Sequence, residues 1–142
     1  MKSELSLFVL ATEDKEKILN CIAKTLNISK EKLEKIVRTQ KLKGHFGYPI
    51  EYLKVKFNEE ETANLLKTIF KKLSEADKYY FLEEIDEYID VKGNLYLRLD
   101  KQRICLGKVS LSDKDPVKID VKGKREKIIS LIKKVIEEDE LL

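Results

Sequence analysis

The sequence is short of the residues that mark metal, redox and catalytic sites. Its 142 residues include one histidine, two cysteines and no tryptophan. Cys21 and Cys105 lie far apart and neither belongs to a CxxC pair, so no zinc site is expected. Two reduced, buried thiols in a cytosolic protein are the default prediction. No GxSxG, Walker, HExxH or glycine-rich dinucleotide motif occurs, which argues against the common enzyme classes and their cofactors.

Long apolar runs are missing as well. The apolar run at residues 5–11 is too short to cross a bilayer and has no small-residue cleavage site after it. Low-complexity segments, internal repeats and flexible linkers are also not visible. These absences predict a single domain over residues 1–142, in the cytoplasm and without a membrane partner. The many Lys and Glu residues, with only five glycines and two prolines, are typical of heat-adapted proteins.

The charges are present in blocks. The net charge of the whole chain is only +3. Residues 30–58 and 93–127 each carry about +5, whereas residues 59–92 between them carry about −5. If the two basic blocks meet in space, one surface of a nearly balanced protein is cationic.

Hydrophobic periodicity predicts strands and helices in alternating groups. Strands are indicated at LSLFVLA, KIVRTQKLK, IEYLKVKF, LYLRL, RICLGKVSL and VKIDV, with residues 100–102 as a hairpin connection between the fourth and fifth. Amphipathic helices follow the first and third strands and end the chain, and Asn58 with Glu61 has the spacing of a capping box. The pattern predicts an α+β fold: an antiparallel or mixed sheet with helices packed on one face and the other face at least partly open.

The polar second face of the strands points to a function. Lysine and arginine suit phosphate, and tyrosine rings can stack on unpaired bases. Two glycines in the KGHFGYP loop allow close approach of a ligand to the backbone. No recognition helix is indicated, so RNA is favoured over duplex DNA. The predicted RNA-binding residues are Lys41, Lys43, Gly44, His45, Phe46, Gly47, Tyr48, Tyr52, Lys54, Lys56, Tyr96, Arg98, Lys118 and Lys122, with Lys101 and Arg103 expected at phosphate.

Other interpretations of these features stay open. Exposed lysines on strands also serve solubility and protect sheet edges. His45 could act as a lone base, although a histidine in such a turn is more often structural. The acidic run from Glu83 to Asp90 could hold magnesium for a nuclease, although a solvated helix face is the more usual role. The apolar stripe of the last helix could instead dock on a partner or form a homodimer.

Two stretches together resemble a known family. They are the loop from Lys43 to Ile50 and the string GNLYLRLDKQ from Gly93 to Gln102, followed by a Leu-Gly pair and a DPVKI strand. The chain resembles, over roughly residues 4–135, the archaeal RNA-binding family described as predicted exosome subunits. Members resemble in fold the large-subunit ribosomal protein that holds five-S RNA, and an older description likened them to double-stranded-RNA-binding domains.

The resemblance implies RNA binding without enzymatic activity, accessory to RNA processing by the exosome or to ribosomal RNA metabolism. It implies partners among exosome-related or ribosome-related proteins, and no metal or cofactor. For Asp100 and Gln102 a structural role in the turn is weighed equally with ligand contact. The contact positions that the resemblance implies are Gly44, His45, Gly47, Arg98, Asp100, Lys101 and Gln102.

Overall fold

The alternation of apolar and polar residues produces one central sheet in the computed structural model, which describes residues 1–44 and 47–140. All of its strand pairings are antiparallel, and the strands lie side by side in the order β2 (Arg38–Lys43), β3 (Pro49–Phe57), β1 (Lys2–Val9), β5 (Val117–Lys122) and β4 (Asn94–Leu99). The apolar residues that alternate along the four strands other than the edge strand at Arg38–Lys43 are buried against the helices, as the pattern predicts, which confirms the α+β fold.

Seven helices occur in the described residues, and their apolar stripes form the core with one face of the sheet. The predicted capping box is confirmed, because the Asn58 side chain accepts from the Glu61 amide at 2.9 Å and the Glu61 carboxylate accepts from the Asn58 amide at 3.0 Å. No helix among residues 1–44 and 47–140 has the length and apolarity that a bilayer crossing needs. The helices are α1 (Lys15–Thr25), α2 (Lys30–Ile36), α3 (Glu59–Lys72), α4 (Glu75–Glu83), α5 (Ile85–Tyr88), α6 (Lys101–Ile104) and α7 (Arg125–Glu140).

The predicted hairpin after β4 is wrong. Asp100 caps a helical turn instead, since its side chain accepts from the Arg103 amide at 2.9 Å, and Lys101–Ile104 form α6. The chain then returns along the outer edge of β4 in an irregular conformation, with an isolated bridge between Leu99 and Leu111. The side-chain cap at Asp100 therefore favours a helical turn, even though the β-branched and apolar residues that follow favour a strand.

Both cysteines are free, but the prediction of buried thiols is wrong for Cys105. Cys105 ends α6 and is exposed, whereas Cys21 on α1 is half-buried. The hydroxyl of Thr25 donates to the carbonyl of Ile104 at 2.7 Å, which ties α1 to α6 beside these residues. Partial burial of its sulfur, with a hydrogen bond from Cys21, raises the pKa of the Cys105 thiol to about 11, so the thiol stays protonated at neutral pH.

Candidate nucleic-acid interface

The side of the sheet that faces away from the core is accessible to solvent, and we call it the open face. Phe8 in the central strand β1 is 37% exposed and Tyr96 in β4 is 46% exposed, so these strands are not roofed by a helix there. Because side chains alternate between the two sides of a strand, the registers determine which residues share this face. It carries the predicted residues Tyr52, Lys54, Lys56, Tyr96, Arg98, Lys118 and Lys122.

Four cationic side chains of the open face form one line across all five strands, and we call them the cation row. Arg38 of β2 pairs with Lys54 of β3, which pairs with Ser6 of β1. Ser6 pairs on its other side with Lys118 of β5, and Lys118 pairs with Arg98 of β4. With strands about 4.8 Å apart, the row is about 19 Å long, a length that spans several phosphates of one nucleic-acid strand.

Arg38 is not among the predicted residues. Lys41 and Lys43 lie on the edge strand β2, where Lys41 pairs with Glu51 and Lys43 with Pro49, so both lysines are on the helix side of the sheet and not on the open face. All six residues of this edge strand are exposed, so burial of side chains does not distinguish its two faces. The alternation of RTQKLK could have identified Arg38 only if the register with β3 were known.

Aromatic rings lie in the adjacent row of the open face. Phe8 and Tyr52 pair across β1 and β3, and their ring centroids are 4.7 Å apart. The ammonium of Lys54 lies 5.2 Å from the centroid of the Tyr52 ring. Phe8 was not predicted either, because the apolar run of β1 hid its alternation with the buried Leu7 and Val9. Rings beside a line of cations can stack bases while the cations hold phosphates.

Two carboxylates interrupt the positive charge of this face. Glu4 and Asp120 pair directly across β1 and β5, and Glu4 lies 3.8 Å from the Lys54 ammonium. Burial raises the pKa of Asp120 and the Glu4 carboxylate raises it further, although Lys118 and Arg98 oppose the rise. Two like charges on opposed strand positions destabilise the sheet.

We therefore expect Asp120→Asn to stabilise the protein at neutral pH. A carboxyl group whose folded pKa is raised stabilises the fold below its unfolded pKa of about 3.9, and that contribution is lost as the pH rises through the folded pKa. Asparagine does not ionise, so the Asp120→Asn variant does not lose stability in this way as the pH rises. Urea unfolding between pH 3 and pH 8 measures the difference, with the exposed Asp113→Asn as the matched control. If the difference in the free energy of unfolding between Asp120→Asn and the wild type does not grow as the pH rises, the raised pKa of Asp120 is contradicted.

Lys101 is not at the surface, which corrects its expected contact with phosphate. Its side chain is 4% exposed. The ammonium lies 2.8 Å from a carboxylate oxygen of Glu13 and 2.6 Å from one of Asp115, and it donates to the Phe8 carbonyl at 2.9 Å. These three acceptors use all three donors of the ammonium group, so Lys101 joins the ends of α1, β1 and β5 and is unavailable to a ligand.

The remaining predicted residues lie at two other places. Gly44, Gly47 and Tyr48 are at the tip of the β2–β3 hairpin, where the Gly44 amide donates to the Tyr48 carbonyl at 2.7 Å. Gly47 has φ +78°, a conformation that favours glycine. His45 and Phe46 lie outside the described residues. Gln102 and Arg103 are exposed on α6, beyond the end of β4, and Asp100 has the structural role of capping that helix.

The acidic run that could have held magnesium is spread over α4 and α5. Glu83, Glu84, Asp86 and Glu87 are exposed, and the Asp86 carboxylate accepts from Arg125 at 2.6 Å. In the part of the chain that the structure describes, no three His, Cys, Asp or Glu side chains are grouped closely enough to hold a metal ion.

This chain is similar to a family of RNA-binding proteins and to several archaeal proteins. A family model described as RNA binding matches residues 3–125. The RNA-binding protein PAB1135 of Pyrococcus abyssi is 30% identical over 140 residues, which are 92% of this chain and 89% of that protein. The uncharacterized protein MJ0213 of Methanocaldococcus jannaschii is 33% identical over 118 residues, covering 80% of this chain and 77% of that protein. The crystal structure of protein SSO0741 from Sulfolobus solfataricus superposes with a TM-score of 0.74 at 25% identity, covering 94% of this chain and 98% of that one.

Proposed function

Because this chain belongs to the RNA-binding family whose model spans residues 3–125, we propose that it binds RNA through the open face of its sheet. The observation that supports this site most directly is the cation row, in which strand registers align four cations from four different strands. Ser6, between the two pairs of cations, has a small side chain that is 4% exposed and does not project above the neighbouring cations.

The mechanism is electrostatic attraction combined with stacking. Lys54 and Arg98 each have an acidic neighbour, at 3.8 Å and 3.5 Å, but their side chains remain about half exposed. Ion pairs of this exposed kind are weak, so phosphates can replace the carboxylates with little loss. Phe8, Tyr52 and Tyr96 offer ring faces next to the row. This favours unpaired RNA, whose bases can turn toward the protein, over a duplex whose bases are stacked inside.

Binding to a fluorescent single-stranded RNA of twelve nucleotides should weaken steeply with salt. Four phosphate contacts give a slope of about −2.8 in a plot of log affinity against log salt, since each contact contributes about 0.7 on a single strand. Fluorescence anisotropy between 50 and 400 mM KCl measures the slope, with a duplex of the same sequence in parallel. Undetectable binding, or a slope near zero, would reject the proposal.

The family resemblance extends the proposal to a biological role. We infer a non-enzymatic, cytoplasmic protein accessory to RNA processing by the exosome or to ribosomal RNA metabolism. Sequencing the RNA that co-purifies with the protein, compared with the RNA recovered with a variant lacking the cation row, would distinguish ribosomal RNA from other transcripts. Recovery of the same RNAs with both proteins would argue against this role for the open face.

Docking through the last helix is the weaker alternative. Ile128, Ile132, Val135 and Ile136 of α7 are all buried in the core, and α7 packs against α3. The apolar stripe that suggested a partner or a homodimer is therefore occupied within the chain itself.

A further inference from the structure

A second charged feature lies beside the outer edge of β4. The segment after α6 runs along this edge, where the Asp100 amide donates to the Ser110 carbonyl and the Ser112 amide donates to the Arg98 carbonyl, both at 2.9 Å. Between this segment, α6 and the start of α4 is a cavity of about 530 Å³, a volume typical of small-ligand sites. We call it the β4-edge cleft, lined among others by Lys72, Ser74, Asp77, Arg103, Lys108 and Ser110.

The cleft contains cations without a carboxylate partner. Within residues 1–44 and 47–140, Arg103 and Lys108 form no ion pair, and both are exposed. The ammonium of Lys72 donates to the Thr25 carbonyl at 2.6 Å. Two carboxylates also line the cleft, but Asp77 accepts from the Leu111 amide at 3.1 Å and Asp100 from the Arg103 amide at 2.9 Å. One oxygen of each carboxylate is therefore occupied by a backbone amide in the wall of the cleft.

Hydroxyl groups complete the lining. The Ser74 hydroxyl oxygen accepts from the Asp77 amide at 3.2 Å, and that of Ser112 accepts from the Lys114 amide at 3.3 Å. Both hydroxyl protons remain free to point toward an oxygen of a ligand, and Ser110 adds a third. An anion with several oxygens fits this set of donors better than an apolar ligand does.

We propose that the β4-edge cleft binds the terminal phosphate of the RNA strand that occupies the open face. This inference rests on the proposed function. Arg98 is the last member of the cation row, and its own carbonyl holds the segment that walls the cleft, so a strand leaving the row at β4 reaches the cleft next. A terminal phosphate carries nearly two negative charges, which match the unpaired Arg103 and Lys108, whereas an internal phosphodiester carries one.

The test uses one RNA sequence with three kinds of end: 5′-phosphate, 3′-phosphate, and hydroxyl at both ends. The wild-type protein should bind one of the phosphorylated RNAs about tenfold more tightly than the hydroxyl-ended RNA, because two charge-assisted contacts are gained. The Arg103→Gln/Lys108→Gln variant should lose this preference and bind all three RNAs with similar affinity. The Lys133→Gln/Lys134→Gln variant on the exposed side of α7 removes the same charge elsewhere and should keep the preference.

The outcomes separate this inference from the proposed function. A wild-type protein that binds all three RNAs equally, or an Arg103/Lys108 variant that keeps the preference, overturns the cleft assignment and leaves the open face intact. Equal weakening of all three RNAs by that variant means that the cleft contacts an internal phosphodiester, which also overturns the assignment. A wild-type protein without affinity for any of the three RNAs overturns both proposals.

Discussion

Replacing all four residues of the cation row with glutamine is expected to weaken RNA binding by about 10² to 10³-fold at 0.1 M salt. Each lost phosphate contact removes about 0.7 log units of affinity at 0.1 M relative to 1 M salt, so four contacts remove close to three. The salt slope should flatten by about 2.8 at the same time. Glutamine keeps most of the side-chain length and avoids new like-charge contacts with Glu4 and Asp120. The changes are Arg38→Gln, Lys54→Gln, Arg98→Gln and Lys118→Gln.

We expect this loss of RNA affinity because the four charges are aligned in one row, and not because the protein has lost four positive charges. A control variant with Lys30, Lys35, Lys133 and Lys134 replaced by glutamine has the same net charge, and these side chains are exposed on helices. It should bind RNA within a few-fold of the wild type. Equal loss of affinity in both variants would mean that the protein binds RNA by diffuse charge alone. Thermal unfolding of the row variant should remain close to that of the wild type, since exposed ion pairs contribute little.

The strands and their buried faces could be predicted because they depend on local pattern. Leu53, Val55 and Phe57 alternate with polar residues over one strand, and the buried residues of β4 and β5 do the same. The period of two fixes which residues share a face within each strand. It therefore predicts that Tyr52 and Lys54, which are two residues apart, share one face of β3. The strand registers, in contrast, are set by pairing between segments, which no single segment encodes.

The errors among the predicted site residues arise from strand registers and long-range contacts, which single segments do not encode. Arg38 was missed because the register of an edge strand is not visible in the sequence, and a shift of one residue exchanges its two faces. Lys101 was included because it belongs to the GNLYLRLDKQ string that carries the family resemblance. Its burial depends on Glu13 and Asp115, which are 88 and 14 residues away in the sequence and meet it only in the folded chain. Contacts of this range leave no periodic signal in the sequence.

Lys101→Met is expected to lower the free energy of unfolding by about 3 kcal/mol, the usual effect of breaking a buried ion pair on one side. For a domain of this size, that corresponds to a fall in Tm of about 10 °C. Methionine fills most of the space of the lysine stem, but it leaves Glu13, Asp115 and the Phe8 carbonyl without their shared donor. Urea and thermal unfolding measure the loss, and the exposed Lys17→Met provides the matched control.

The geometry of Asp115 makes this lysine more important than an ordinary ion pair. Asp115 has φ +41°, in the left-handed region that is unfavourable for most residues, and it directly precedes a proline. Its 2.6 Å contact with Lys101 holds that conformation at the start of β5.

Adding Glu13→Gln and Asp115→Asn to Lys101→Met should recover part of the lost stability, because the unpaired negative charges are removed. RNA affinity should change far less in Lys101→Met than in the variant whose four cation-row residues are replaced by glutamine. Wild-type stability in Lys101→Met, together with a large loss of RNA affinity, would instead return this lysine to the binding surface.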